Sequence, residues 1–111
     1  MNKAEERIQQ EIFTYHWNTY PEERKLLFMV NNNPKNKIDG ARLKSLGLVA
    51  GVSDLIYVNP RDCKVYFVEL KTPKGRQDPE QIIFENKVTA LGFKYLLIRS
   101  LDEMINFFWN E

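Results

Sequence analysis

The sequence predicts an α/β fold with elements in the order α-β-(α)-β-β-α-β-α. Three observations carry this. Apolar residues recur at helical spacing in Ala4–Trp17, and a second helical segment runs from about Pro79 to Leu91. Two β-rich runs, Leu55–Val58 and Val65–Val68, flank Asn59-Pro60-Arg61-Asp62, whose turn chemistry makes them a hairpin. A third run, Phe93–Ile98, follows the second helix, so the last hairpin strand enters a βαβ crossover, right-handed by default. The 111 residues fit a single domain, 1–111, able to bury a core without disulfides.

The first helix starts from Asn2 as a cap and sets Ile8, Ile12 and Tyr15 on one stripe. Glu5 falls on the same stripe one turn earlier. It is either a first-turn glutamate favoured by the helix dipole or part of a site at that end, with Glu6 as the neighbouring alternative. His16, the lone histidine, reads as packing or a cap. Pro21 and Glu22-Glu23-Arg24 mark a loop, and Leu26–Val30 a short strand that ends at Asn31-Asn32-Asn33-Pro34. Lys37–Leu48 holds a helix or helical turn with Ile38, Leu43 and Leu46 as its apolar points and Gly47 at its end. After the hairpin, Thr72-Pro73-Lys74-Gly75-Arg76 is a loop, and Asp78 caps a helix with Pro79 in first position. Gly92 ends that helix. Ser100 caps a last one over Leu101–Trp109, with enough large apolar residues that part of its surface is expected to pack in an oligomer.

At 43% hydrophobic and 13% aromatic residues the chain is built to pack rather than stay disordered. Cys63 stands alone, with no Cys or His nearby, which argues against a disulfide or a zinc site. The charged segment Lys3–Arg7 is no signal sequence and no apolar run reaches transmembrane length. A soluble protein of a reducing compartment, the cytoplasm, is expected, with no membrane partner. The net charge of +1 carries no global nucleic-acid signature. Its distribution is uneven, because Lys35, Lys37, Arg42 and Lys44 precede the hairpin and Lys74 and Arg76 follow it.

The hairpin places the chemistry. The start of its first strand lies beside the end of its second, so Asp54 and Glu69 meet although fifteen positions separate them. Glu69 and Lys71 share a face because strand side chains alternate. Two adjacent carboxylates repel unless neutralised, and a divalent cation is the usual answer. Lys71 can orient or stabilise what such a cation activates.

Asp54 followed by Glu69-Leu70-Lys71 resembles the PD-(D/E)xK nuclease superfamily. Together, Gly51-Val52-Ser53-Asp54-Leu55, Phe67-Val68-Glu69-Leu70-Lys71-Thr72, Gly75, Gln81 with Phe84, and Leu91-Gly92 resemble the VRR-NUC nuclease domain. Ser53 stands where that family usually has proline, next to the aspartate and not a ligand. The resemblance implies a restriction-endonuclease-like mixed sheet flanked by helices. It implies Mg²⁺ or Mn²⁺ held by Asp54, Glu69 and the Leu70 backbone carbonyl, with Glu5 on the metal directly or through water. Lys71 and the helix glutamine Gln81 complete the catalytic set. The implied reaction is metal-assisted hydrolysis of DNA phosphodiesters that leaves a 5′-phosphate. Phosphate contacts would come from Lys35, Lys37, Arg42, Lys44, Lys74 and Arg76.

Nothing in the chain reads base sequence, so DNA structure is the expected target. Stand-alone phage and bacterial members of the family are similar to Holliday-junction resolvases, which implies a homodimer acting on branched DNA in a bacterial or phage-infected cell. Two other readings use the same residues: a flap or single-strand nuclease, and a DNA-binding module whose carboxylates are structural. A helicase partner is possible, and the sequence does not identify it or any other protein partner.

Overall fold

The computed structural model describes residues 1–30 and 36–110. Helix α1 (Lys3–Thr19) is followed by a 3-10 turn (Pro21–Glu23) and strand β1 (Leu27–Met29). Then come α2 (Lys37–Ser45), the hairpin β2 (Leu55–Asn59) and β3 (Lys64–Leu70), α3 (Pro79–Ala90), β4 (Lys94–Ile98) and α4 (Leu101–Met104). The four strands form one mixed sheet in the order β1-β2-β3-β4. β1–β2 and β2–β3 are antiparallel, and β3–β4, joined through α3, are parallel. The element order is the one the sequence predicts. Asn31–Pro34 and Lys35 lie outside the described residues.

The period of two splits the sheet into unlike faces. Leu27, Leu55, Tyr57, Tyr66, Val68, Leu70 and Ile98 share one face and are buried with Ile12 of α1 and the C-terminal Met104, Phe108 and Trp109. This is the core, and its burial supplies the main driving force for folding. The opposite face carries Phe28, Ile56, Phe67 and Tyr95. There α3 packs through Phe84, edge-on to Phe67 with centroids 5.2 Å apart. No residue of α3 is fully buried, so this face is only half covered.

Three segments differ from the sequence expectation. The last helix is α-helical only over Leu101–Met104 and continues as a π-helical segment, Ile105–Trp109. The wider turn lets the adjacent Phe108 and Trp109 both reach the core, so most of this apolar surface is used within the chain. Ile38 and Leu46, two of the apolar points the sequence shows in α2, are 84% and 72% exposed. α2 is only nine residues long, Gly40 within it brings no side chain, and its apolar residues form no stripe. Glu23, in the sequence only part of a loop, is the centre of a buried polar cluster. Its Oε1 accepts from Tyr57 Oη at 2.6 Å and lies 3.1 Å from His16 Nε2, and its Oε2 lies 2.8 Å from Arg61 Nη2. Tyr57 Oη also accepts from Trp109 Nε1 at 3.2 Å. His16 stacks on Trp109 at 5.3 Å, the packing role the sequence suggests. This cluster fastens the C-terminal end of α1 to the sheet. Among the described residues no helix is long and apolar enough to cross a membrane.

Candidate active site

The β2–β3 register pairs Leu55 with Val68, so one step further Asp54 stands beside Glu69. Asp54 binds the sheet on both sides. Its carbonyl accepts from the Val30 amide at 2.8 Å, and its Oδ2 accepts from the Leu70 amide at 2.7 Å. The carboxylate thus occupies the place of the next backbone acceptor on β2. Extended backbone points the N–H and C=O of one residue to the same side, so the Leu70 carbonyl also faces the Asp54 side of β3. The Lys71 amide turns the other way, to the Ile98 carbonyl at 3.1 Å.

Glu69 is 1% exposed. Its Oε2 accepts from Gln81 Nε2 at 2.8 Å and lies 3.9 Å from Lys71 Nζ. Its Oε1 is buried and receives no hydrogen bond from a protein donor. Burial, then the Asp54 charge, push the Glu69 carboxyl up to about 9. Burial also raises Asp54, against the lowering effect of the Leu70 amide. Two such carboxylates cannot both ionise as they stand. Either a proton is shared between them or a cation lies against them.

A cleft of about 400 Å³ opens over this pair. Glu5, Lys44, Gly51, Asp54, Glu69, Lys71 and Gln81 all line it. The N-terminus of α3 forms one wall. Asp78 caps that helix, its Oδ1 accepting from the Gln81 amide at 3.0 Å, while Gln81 Oε1 accepts from the Asp78 amide at 2.9 Å. Gly51 lies flat against the same helix end. Its φ is +89°, and a Cβ there would stand 2.3 Å from the Glu80 carbonyl oxygen. Only glycine allows that approach.

The predicted residues therefore divide. Asp54, Glu69, Lys71, Gln81 and Glu5 meet in one cleft, and Glu5 adds to the raised affinity of Glu69 for its proton. Glu6 lines a neighbouring groove instead. Of the basic residues, Lys44 lines the cleft, while Lys37, Arg42, Lys74 and Arg76 are exposed outside its lining, and Arg42 is paired with Asp39 at 2.8 Å. Lys35 lies outside the described residues.

The donor set tests what cation would fit. It consists of buried carboxylate oxygens, one with no donor, beside a main-chain carbonyl, and hard divalent cations bind such oxygens. Among the described residues no three His, Cys, Asp or Glu side chains are grouped to hold a metal ion, so Glu5 does not complete a three-carboxylate set with Asp54 and Glu69.

The sequence profile of the VRR-NUC domain matches residues 3–101. The chain belongs to the VRR-NUC domain family. Membership supports a nuclease role, and with it a DNA substrate. Two solved structures share the fold of this VRR-NUC domain. One, described as a "VRR_NUC domain protein", has a TM-score of 0.74 at 16% identity, covering 98% of this chain and 90% of that one. The other, described as a "VRR_NUC domain", has a TM-score of 0.62 at 20% identity, covering 97% and 100%. No curated protein matches the chain.

One residue beside the VRR-NUC site escapes sequence reasoning. Arg99, just past β4, donates from Nη1 to the carbonyls of Thr72 and Gly75 at 2.6 and 2.7 Å. Its own amide is held by Glu103 Oε1 at 2.6 Å. It clamps the loop that leaves Lys71 and presents Lys74. An arginine at a strand end gives no pattern, and only the parallel β3–β4 pairing brings it to that loop.

Proposed function

We propose that this chain is a Mg²⁺- or Mn²⁺-dependent deoxyribonuclease that cuts branched DNA as a homodimer. The observation that carries the reading is the Asp54–Glu69 pair with the donorless Glu69 Oε1, set in a cleft that also holds a lysine. Asp54, Glu69 and the Leu70 carbonyl would hold the cation, with Glu5 reaching it through water. When bound, the cation supplies a Lewis acid and lowers the pKa of a water at the cleft. Ionised Asp54 and Glu69 fix the position of that charge, and Gln81 fixes Glu69. Lys71 donates to a non-bridging phosphate oxygen as charge grows there. Water oxygen bonds to phosphorus in line as the bond to the 3′-oxygen breaks, leaving a 5′-phosphate and a 3′-hydroxyl. Lys44 lies where it can meet a neighbouring phosphate, and Lys37, Arg42, Lys74 and Arg76 can follow the backbone further out. A two-fold dimer gives so small a domain the span of a junction and two cuts.

The test is a panel of labelled four-way junction, flap, duplex and single-stranded DNA with and without Mg²⁺ or Mn²⁺, run beside Asp54→Ala and Lys71→Ala. Metal-dependent cutting with junctions preferred, lost in both variants, supports the reading. Wild type and variants equally inert while still binding DNA would make the chain a binding module. Cutting without junction preference, by a monomer, would leave the nuclease and remove the dimer.

A further inference from the structure

A second cavity adjoins the cleft and differs from it in chemistry. This groove of about 490 Å³ runs between α1 and the edge strand β1. Asp54 lines both cavities, so the groove begins where the cleft ends. It has two aromatic walls, Phe13 and Phe28, which remain 37% and 41% exposed. Phe13 is stacked on Trp17 at 5.6 Å, which holds its ring in place. Gln9 and Gln10 supply amides, and Gln9 Oε1 is buried without a hydrogen-bond partner. No lysine or arginine is among the described residues of the lining, whereas Glu6 is.

These features choose a ligand. Glu6 and Asp54 bring negative charge to the groove and the Met1 ammonium brings positive charge, while the walls between them are aromatic and amide. A flat, uncharged group with hydrogen-bonding edges fits the aromatic walls and the unpaired glutamine. Any DNA strand with a phosphate at Asp54 has such a group one nucleotide away. Duplex stacking hides it, and an unpaired nucleotide presents it.

We propose that the groove takes the unpaired base of the nucleotide adjoining the scissile phosphate, stacked on Phe28 and Phe13 and hydrogen-bonded by Gln9. This rests on the nuclease reading above and deepens it, because it makes an unstacked nucleotide part of the substrate. Base–aromatic stacking of this kind is tolerant of sequence.

The experiment walks a single abasic residue along the cleaved strand of a junction and measures affinity by anisotropy, with Ca²⁺ replacing Mg²⁺ so that binding is read apart from cutting. For wild type, loss of the base beside the cut weakens binding roughly tenfold, and no other position does so. Phe28→Leu, which keeps apolar volume and removes the ring, binds the intact junction roughly tenfold more weakly and is insensitive to the same abasic residue. The proposal is overturned if wild type ignores the abasic residue. It is also overturned if ring and base losses add independently. If Phe28→Leu instead turns a dimer into a monomer without changing base sensitivity, the groove is a subunit contact. Failure of wild type to bind or cut any DNA would remove the nuclease reading itself.

Discussion

Gln81 donates from Nε2 to Glu69 Oε2 at 2.8 Å while its Oε1 accepts from the Asp78 amide at 2.9 Å. The capping box therefore fixes which way the amide points, and a helix start becomes a support for the site. Gln81→Ala removes both contacts. Residues that orient a metal ligand typically cost 10–100-fold in metal affinity or activity, and that drop is expected here. Isothermal titration with Mn²⁺ beside cleavage rates checks it. Gln81→Glu keeps the cap acceptor but puts a third carboxylate against Glu69, and should be worse than alanine.

Acid–base behaviour gives a second prediction. Folded Glu69 is pushed up to about 9 from the ordinary 4.5 it regains on unfolding. Its contribution to stability is then fully present below about pH 4.5 and is lost as pH rises through about 9. Metal-free protein should melt progressively lower across that window. Under the proposed function Mg²⁺ would bind the ionised pair, and it should then raise Tm more at pH 8 than at pH 6. Calorimetry on wild type and Glu69→Gln decides this, since the variant should lose most of the slope. Equal slopes would place its source elsewhere.

Glu69→Gln should also cut DNA at least about 10²–10³-fold more slowly, the usual cost of removing one fixed electrostatic contact at a reacting centre. Because the amide stands in for the protonated carboxyl that the buried site imposes, and needs no proton taken up at pH 8, the metal-free variant should be at least as stable as wild type there. Activity and melting temperature would thus move in opposite directions.

Gly51→Ala tests the contact between the β2 entry and α3. The left-handed backbone alone costs about 1–3 kcal/mol for a residue with a side chain. The 2.3 Å approach to Glu80 adds to that and must displace the α3 N-terminus. Chemical denaturation should show the loss, and activity should fall with it because Gln81 moves.

Tyr57→Phe addresses the opposite end of the sheet. The hydroxyl donates to Glu23 and accepts from Trp109 Nε1, both buried. Leaving such groups short of a partner costs about 1–3 kcal/mol. A stability loss in that range is expected, with cleavage of DNA unchanged at temperatures where the protein is folded.

What the sequence made legible follows from local rules. Strand alternation and the hairpin register need only neighbours in sequence, and they were enough to bring Asp54, Glu69 and Lys71 together. The Asp78-Pro79 start of α3 was readable for the same reason, and Gln81 came with it. Contacts set by tertiary packing were not readable. Glu23 read only as part of a loop because nothing in its local sequence shows that Tyr57, Arg61 and His16 converge on it. Arg99 was silent because the parallel pairing of β3 and β4 alone brings it to the Thr72–Gly75 loop. The π-helical end was hidden because the residue count of Leu101–Trp109 suits an α-helix equally well. Ile38 and Leu46 misled because apolar identity was taken as packing on a helix too short to form a stripe.

Asp54 serves the sheet with the same oxygen that borders the site, as the acceptor for the Leu70 amide. An asparagine could still offer a carbonyl oxygen to that amide while bringing no negative charge. Asp54→Asn is therefore a natural decoy, a molecule that keeps its shape and grips its target without consuming it. It is the form in which to trap the complex and see which nucleic acid the cleft was shaped to hold.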